Sequence, residues 1–313
     1  MYYIGIDVSK KVLSVYDGKK YMEFKNKEGL KPLLCYLKKH FEHFDNLCII
    51  FEATGIYSDN LKEFCSKHEI KTYILNPKQS HNFAKSLGVR SKTDKIDAHT
   101  IWRYQSLIAH KKMRIPVIDP EAKMLASYLT SYEFIQRQRI SLSNHMMSVT
   151  DKSLKRLIKA EFTRKLSLEK KILSDVIAYI GKHPGLQEDF ERLLTIKGIG
   201  DKSAFSLLAL FRHYQGTNRN EITALVGLDP VYKESGSSIK GRIKISKNGN
   251  RHVRKMLYLP TLSAIQNNRQ IALFYQRLIS KHKPKKLAVI ASMRKLILIA
   301  HSIYHNKTEY VPG

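Results

Sequence analysis

The stretch "YYIGIDVSKKVLSVYDGKKYMEFK", residues 2–25, decides the fold. Its first run, "YYIGID" (2–7), is mostly apolar and ends on an acid, Asp7. "VLSVYD" (12–17) follows, "GKK" makes a turn, and "YMEFK" (21–25) returns. Short β-branched and aromatic runs bounded by turn residues read as strands, so the spacing predicts three strands in meander order. Outward from there, "KEGLKPLLCYLKKHF" (27–41) carries Leu30, Leu33, Leu34 and Leu37 at helical spacing. Pro32 falls in its first turn, where a missing N–H costs little. "LCIIFE" (47–52) reads as a buried strand that again ends on an acid, Glu52. "YSDNLKEFCSKH" (57–68) reads as a helix and "KTYIL" (71–75) as a strand. "NPKQ" (76–79) opens another helical stretch, and the pattern is helical again from Thr93 to Ile108.

The order is β-β-β-α-β-α-β-α, an α/β class that fits the ribonuclease H-like fold; the analogy alone fixes no function. Residues 119–183 have no glycine before Gly181 and no proline after Pro120. Their long polar helices read as a coiled-coil connector, with packing on the first domain as the competing arrangement for the first half. A new, mainly α unit starts near Glu191 with "LLTIKGIGDKSAFSLLALF". It resembles a helix-hairpin-helix element, in which Lys197 and the amides of Gly198 and Gly200 face a phosphate; a plain turn is the alternative. The division expected is 1–150, 151–190 and 191–313.

The 313 residues suffice for two or three domains with a substantial core, and 43% hydrophobic content is that of a folded protein. Lys and Arg number 55 against 27 for Asp and Glu, a net charge of +28. That excess implies a polyanionic partner, nucleic acid before anionic membrane. The apolar stretch "KLAVIASMRKLILIAH" is broken by Arg294 and Lys295 and reads as too short to span a bilayer. No signal-peptide pattern opens the chain. Cys35, Cys48 and Cys65 read as reduced core thiols of a cytoplasmic protein, without zinc spacing.

Asp7 and Glu52 end strands that are neighbours in a ribonuclease H-like sheet. In "RSKTDKIDAHTI" (90–101), Asp94 and Asp97 stand at i and i+3, on one helix face. That helix can cross the same sheet edge. Four oxygen donors converging there suit Mg²⁺, with Mn²⁺ as a substitute. Such a site lowers the pKa of an attacking hydroxyl and stabilises a leaving oxygen. Taken singly, the strand-end acids read as turn residues, and Asp94 and Asp97 as surface partners of Lys92 and Lys95. Four acids on the right elements favour a metal, because without a cation they would repel one another.

"ESGSSIKGRIKISKNGNRHVRKMLYLP" (234–260) is the basic counterpart. Lys240, Arg242 and Lys244 alternate with Gly241, Ile243 and Ile245, a strand with one basic face. Lys247 precedes "NGN" (248–250), which turns the chain and caps a helix. On that helix Arg251, Arg254, Lys255 and Tyr258 share one side. Two successive basic faces make a phosphate-binding surface; a solvated charged face is the plain alternative. Serine needs activation to act as a nucleophile, and spacing alone does not choose among Ser235, Ser237, Ser238 and Ser246.

"YIGIDVSK", "FEATGIY", "KTDKIDA", "IKGIG", "LVGLDP", "ESGSSIKGRIKISKNGN", "VRKMLY" and "PKK" occur in one order across nearly the whole chain. In this the chain resembles the DEDD transposases of the IS-one-ten insertion-sequence family, relatives of the Piv DNA invertase. The resemblance implies a RuvC-like N-terminal domain, a coiled-coil connector and a C-terminal transposase domain. It implies that Asp7, Glu52, Asp94 and Asp97 are the acidic tetrad and that Ser235, in the "SG" motif, is the catalytic serine. It further implies a structured bridge RNA pairing with donor and target double-stranded DNA, and homo-oligomers, dimers that become tetramers in the synaptic complex. There the tetrad of one subunit works with the serine of another. Arg90, Lys92 and Lys95 then contact nucleic acid, and no membrane is involved. Two rivals are a junction nuclease using water, which needs no Ser235, and a non-catalytic nucleic-acid-binding protein, against which the full tetrad argues. His252 is the histidine nearest Ser235, and its role is open.

Overall fold

The computed structural model describes residues 1–89, 91, 93–108, 113–231, 234–235, 239–240 and 244–311. Two compact units result, Met1–Asp119 and Pro120–Gly313.

The first unit holds β1 (Tyr2–Val8), β2 (Val12–Tyr16), β3 (Tyr21–Lys25), α1 (Leu30–His40), β4 (Leu47–Glu52), α2 (Asp59–Lys67), β5 (Lys71–Leu75), α3 (Pro77–Ser86) and α4 (Asp94–Arg103). Among the described residues its strands form one sheet in the order β3-β2-β1-β4-β5. β1 runs antiparallel to β2 and parallel to β4; β2–β3 is antiparallel and β4–β5 parallel. Side chains alternate between the two faces. Ile4, Ile6, Val8, Leu13, Val15, Ile49 and Phe51 pack with Leu33 and Leu37 of α1 and Leu61 and Phe64 of α2. On the other face Cys48, Ile50 and Leu75 meet Ile101 of α4. The predicted helix 57–68 begins as a 3₁₀ turn, Gly55–Ser58, and the predicted stretch 93–108 ends as another, Tyr104–Leu107.

One thiol is misplaced by the sequence reading. Cys48 and Cys65 are buried, but Cys35 is exposed. It sits between Leu33 and Leu37, which form the buried stripe of α1, and so points off that stripe. Burial pushes the Cys48 thiol up to about 12 and raises that of Cys65 as well.

The second unit opens with α5 (Pro120–Ser148) and α6 (Lys152–Gly181). They form an antiparallel hairpin: Tyr128 meets Tyr179, and Arg139 lies over Phe162. Asp151 starts α6 by accepting the Leu154 N–H at 2.7 Å. Residues 120–148 therefore pack within the second unit, against α6 and α8. Then come α7 (Pro184–Leu194), α8 (Asp201–His213), α9 (Arg219–Val226), a ribbon of β6 (Pro230–Val231), β7 (Glu234–Ser235), β8 (Ile239–Lys240) and β9 (Lys244–Ile245), and α10 (Arg251–Met256), α11 (Tyr258–Asn267), α12 (Arg269–Ser280) and α13 (Lys285–Asn306).

The stretch read as too short to span belongs to α13, whose 22 residues are long and apolar enough to cross a membrane. Its Ala288, Met293, Leu296, Ile297, Ala300 and Ile303 are buried in one core with Leu193, Phe205 and Phe211. Burial inside the unit accounts for its apolar character.

Candidate active site and nucleic-acid surface

Gly5, in the middle of β1, sets the geometry of the acidic edge. A Cβ there would lie 2.4 Å from the Trp102 nitrogen and 2.5 Å from the Ala98 oxygen. The backbone of α4 thus rests directly on β1. Ala98 and Trp102 make that contact, and the first turn of the same helix carries exposed Asp94 and half-buried Asp97. Thr93 caps the helix, its Oγ1 accepting the Ile96 N–H at 3.3 Å. Carboxylates are stabilised in the first turn of a helix, where N–H groups are unpaired.

Glu52 ends β4, one register step beyond the last parallel pair, Ile6–Phe51. Asp7 and Glu52 are thus side by side across two central strands, both half-buried. Chain direction changes at once after Glu52: Gly55 has φ +63° and opens the 3₁₀ turn. Thr54 in that corner has a buried hydroxyl oxygen with no hydrogen-bond partner among the described residues.

The row extends further than the sequence reading foresaw. Asp7 is paired in register with Ser14 of β2, and Ser14 with Glu23 of β3. The Tyr21 hydroxyl donates to Glu23 Oε1 at 2.6 Å and lies 3.1 Å from Ser14 Oγ. Burial, then the Glu23 hydrogen bond and the charges of Glu23 and Asp94, raise the Tyr21 phenol above its ordinary range. Lys95 lies 6.0 Å from the Tyr21 ring centre. Polar Tyr21, Glu23 and Lys25 alternating with Met22 and Phe24 was the available signal.

An all-carboxylate donor set beside an unpartnered hydroxyl fits a hard divalent cation in chemistry. Among the described residues, however, no three His, Cys, Asp or Glu side chains are grouped closely enough to hold one. Asp7 and Glu52 are neighbours at the ends of β1 and β4, and Asp94 and Asp97 share the first turn of the helix packed on β1.

Ser235 lies on the ribbon of the second unit. Pro230 pairs with Ile245, Val231 with Lys244, Glu234 with Lys240 and Ser235 with Ile239. The serine expected in a loop is thus on an antiparallel ladder, and of the predicted basic strand the described residues Lys240 and Lys244 are both in strands, β8 and β9. The ribbon base is tied to α9: Asn250 N–H donates to the Leu225 carbonyl at 2.6 Å and Lys247 N–H to that of Gly227 at 3.2 Å. Gly227, at φ +69°, ends α9, and a Cβ on it would meet Gly249 N at 2.7 Å. Ser246 braces the same base, its hydroxyl donating to Asp229 Oδ1. Asn250 caps α10 as read, accepting the N–H groups of His252 and Val253.

The basic residues divide. Lys197, Lys244, Lys247, Arg251 and Lys255 are exposed. Arg254 is partly committed to the fold, donating from Nη1 to the Val226 carbonyl at 2.7 Å. Gly198 has φ +106°, and a Cβ would meet Ala264 at 2.7 Å, so close packing on α11 already requires glycine there. Gly200 is exposed and precedes α8. Arg90, Lys92, Arg242, Ser237 and Ser238 lie outside the described residues; of Ser235 and Lys240 only the backbone is described.

A mixed sheet of this order, with acids at the ends of two adjacent strands and a second pair on the helix that packs on β1, is consistent with a ribonuclease H-like transposase of the DEDD type. Comparison with known families agrees. A profile of DEDD transposases matches residues 4–169, and one described as Transposase IS116/IS110/IS902 family matches residues 190–276. The chain belongs to the IS110 family of transposases, enzymes of DNA recombination. Pilin gene-inverting proteins of Moraxella bovis and Moraxella lacunata are each 30% identical to it over 316 positions, covering 96% of this chain and 95% of theirs.

Proposed function

We propose that this transposase is a Mg²⁺-dependent serine recombinase of an insertion sequence, guided by an RNA that the element encodes. The placement of Asp7 and Glu52 on adjacent strand ends, with α4, whose first turn bears Asp94 and Asp97, packed against β1 at Gly5, carries the reading. Asp7, Glu52, Asp94 and Asp97 hold the cation. When bound, it supplies the positive charge that eases deprotonation of an attacking hydroxyl and stabilises a leaving oxygen.

Ser235 is the nucleophile. Its Oγ gives up a proton and bonds to phosphorus as the bond from phosphorus to a deoxyribose oxygen breaks. The phosphoserine diester conserves the phosphodiester's energy, so a second deoxyribose hydroxyl can displace Ser235 and reseal a strand without an external energy source. The first unit, Met1–Asp119 rather than 1–150, acts as a RuvC-like catalytic domain, the α5–α6 hairpin as a coiled-coil connector, and 191–313 as a transposase domain with a helix-hairpin-helix-like element. The protein works in the cytoplasm as a homo-oligomer on donor and target duplexes. Lys95, Lys244, Lys247, Arg251 and Lys255 supply phosphate contacts, with Arg90, Lys92, Lys240 and Arg242. The relatives named for gene inversion favour recombination over hydrolysis.

A suicide DNA substrate, denaturing electrophoresis and peptide mapping test this. Wild type should give a covalent adduct at Ser235, and Ser235→Ala should bind DNA but give neither adduct nor strand exchange. An adduct on Ser246, or full exchange by Ser235→Ala, overturns the assignment; cleavage without any adduct identifies a water-using nuclease. Sequencing RNA that copurifies with the protein tests the guide: an element-derived RNA is expected, and its absence removes the guide from the reading.

A further inference from the structure

A cavity of about 350 Å³ in the second unit is lined by Tyr132, Glu133 and Arg139 of α5, Lys202 of α8, and His252 and Lys255 of α10. Of these only Lys255 belongs to the basic surface described above. Most of its charged groups are already satisfied. Glu169, 7% exposed, accepts from Arg139 Nε at 2.6 Å, the Tyr132 hydroxyl at 2.7 Å and Gln136 at 3.1 Å. Glu133 Oε2 stands 3.6 Å from His252 Nδ1.

Lys202 is the exception. It is half-buried, with its ammonium 4.8 Å from the Tyr132 ring centre. Among the described residues, that ammonium has neither a hydrogen-bond acceptor nor an ion-pair partner. A cation held partly out of water without an acceptor is costly. Burial, and then the charges of Arg139 and Lys255, lower its pKa, against the opposing pull of Glu169 and Glu133. Three cations therefore face one cavity whose other walls include Leu129, Met256 and Pro260. Apolar walls strengthen whatever ionic contact forms inside.

We propose that this cavity seats one backbone phosphate of a nucleic-acid strand, with Lys202 as the principal donor and Lys255 as the second. The assignment rests on the reading that the second unit holds nucleic acid. A phosphodiester fits better than an acidic peptide because the enzyme acts on DNA and the chain carries a net charge of +28.

The full-length protein is titrated with a short labelled DNA duplex and, separately, a labelled single-stranded RNA across a range of salt. For Lys202→Met, the slope of log affinity against log salt should fall by about 0.9 on the duplex, or about 0.7 on the single strand, whichever the cavity seats. Lys255→Gln should act in the same direction. Glu133→Gln, which removes an acid from the wall, should tighten binding several-fold. In wild type, saturating nucleic acid should slow acylation of Lys202 by an amine-reactive ester several-fold, read by peptide mass spectrometry. This measurement stands even where Lys202→Met lowers the melting temperature. Undiminished Lys202 labelling in the saturated complex overturns the proposal, and so does an unchanged slope for a Lys202→Met protein that keeps the wild-type melting temperature. If wild type binds neither nucleic acid, the broader reading of this unit fails first; if it binds and Lys202 stays reactive, only the cavity assignment fails.

Discussion

Asp94 is the exposed member of the acidic set, so replacing it isolates chemistry from folding. Asp94→Asn removes one charge and keeps the shape. Cleavage in saturating Mg²⁺ should be abolished while nucleic-acid affinity stays near wild type, read by a cleavage assay beside a mobility-shift titration. Wild-type rates would remove Asp94 from the metal set. Asp97→Asn, Asp7→Asn and Glu52→Gln should behave alike, since such a site works as a unit. At this scale the sequence singled out these four acids as candidates because each ends an apolar run or repeats at i, i+3. Glu23 was legible only as one of the polar alternating positions: nothing in "YMEFK" says that its register partner is Ser14, or that Ser14 pairs with Asp7. Lys202 was hidden for a related reason, since its isolation depends on Arg139 and Glu169 having already paired.

The elements themselves were read from periodicity, and the strands and helices of the first unit fall close to where alternation and Leu spacing put them. What periodicity cannot give is how closely two elements approach. "YIGID" signals a strand, but only the folded chain brings the α4 backbone against Gly5. The same holds for Gly198: "KGIG" suggests a phosphate turn, whereas contact with Ala264 supplies a packing reason. Gly5→Ala should therefore force α4 away from β1. Overpacking of this kind costs about 1–3 kcal/mol, and here backbone rather than a flexible side chain must yield. The melting temperature should fall by several degrees, and strand cleavage should fall further than the lost stability explains, because Asp94 and Asp97 ride on the displaced helix. A Gly5→Ala protein with wild-type melting and cleavage would show that the approach at Gly5 does not position the acids.

For the whole molecule, the charge balance is the most legible property and the least local one. An excess of 28 positive charges raises affinity for any polyanion, so binding alone identifies no surface. Salt dependence does, because each phosphate contact releases condensed counterions and contributes about 0.9 to the slope on duplex DNA. Lys240 pairs with Glu234 beside Ser235, and Lys244 pairs with Val231; Arg242 stands between them in the sequence. If this basic stretch follows a DNA backbone, replacing all three by Ala should lower the slope by about one unit per lost contact. The melting temperature should hardly change, because Lys244 is exposed and the ribbon base is fixed by main-chain bonds at Gly227, Asp229 and Leu225. Affinity should fall for specific and mixed-sequence duplexes alike, since phosphates carry no sequence information. An unchanged slope would turn this stretch toward protein or solvent and leave α10 as the basic face that meets DNA.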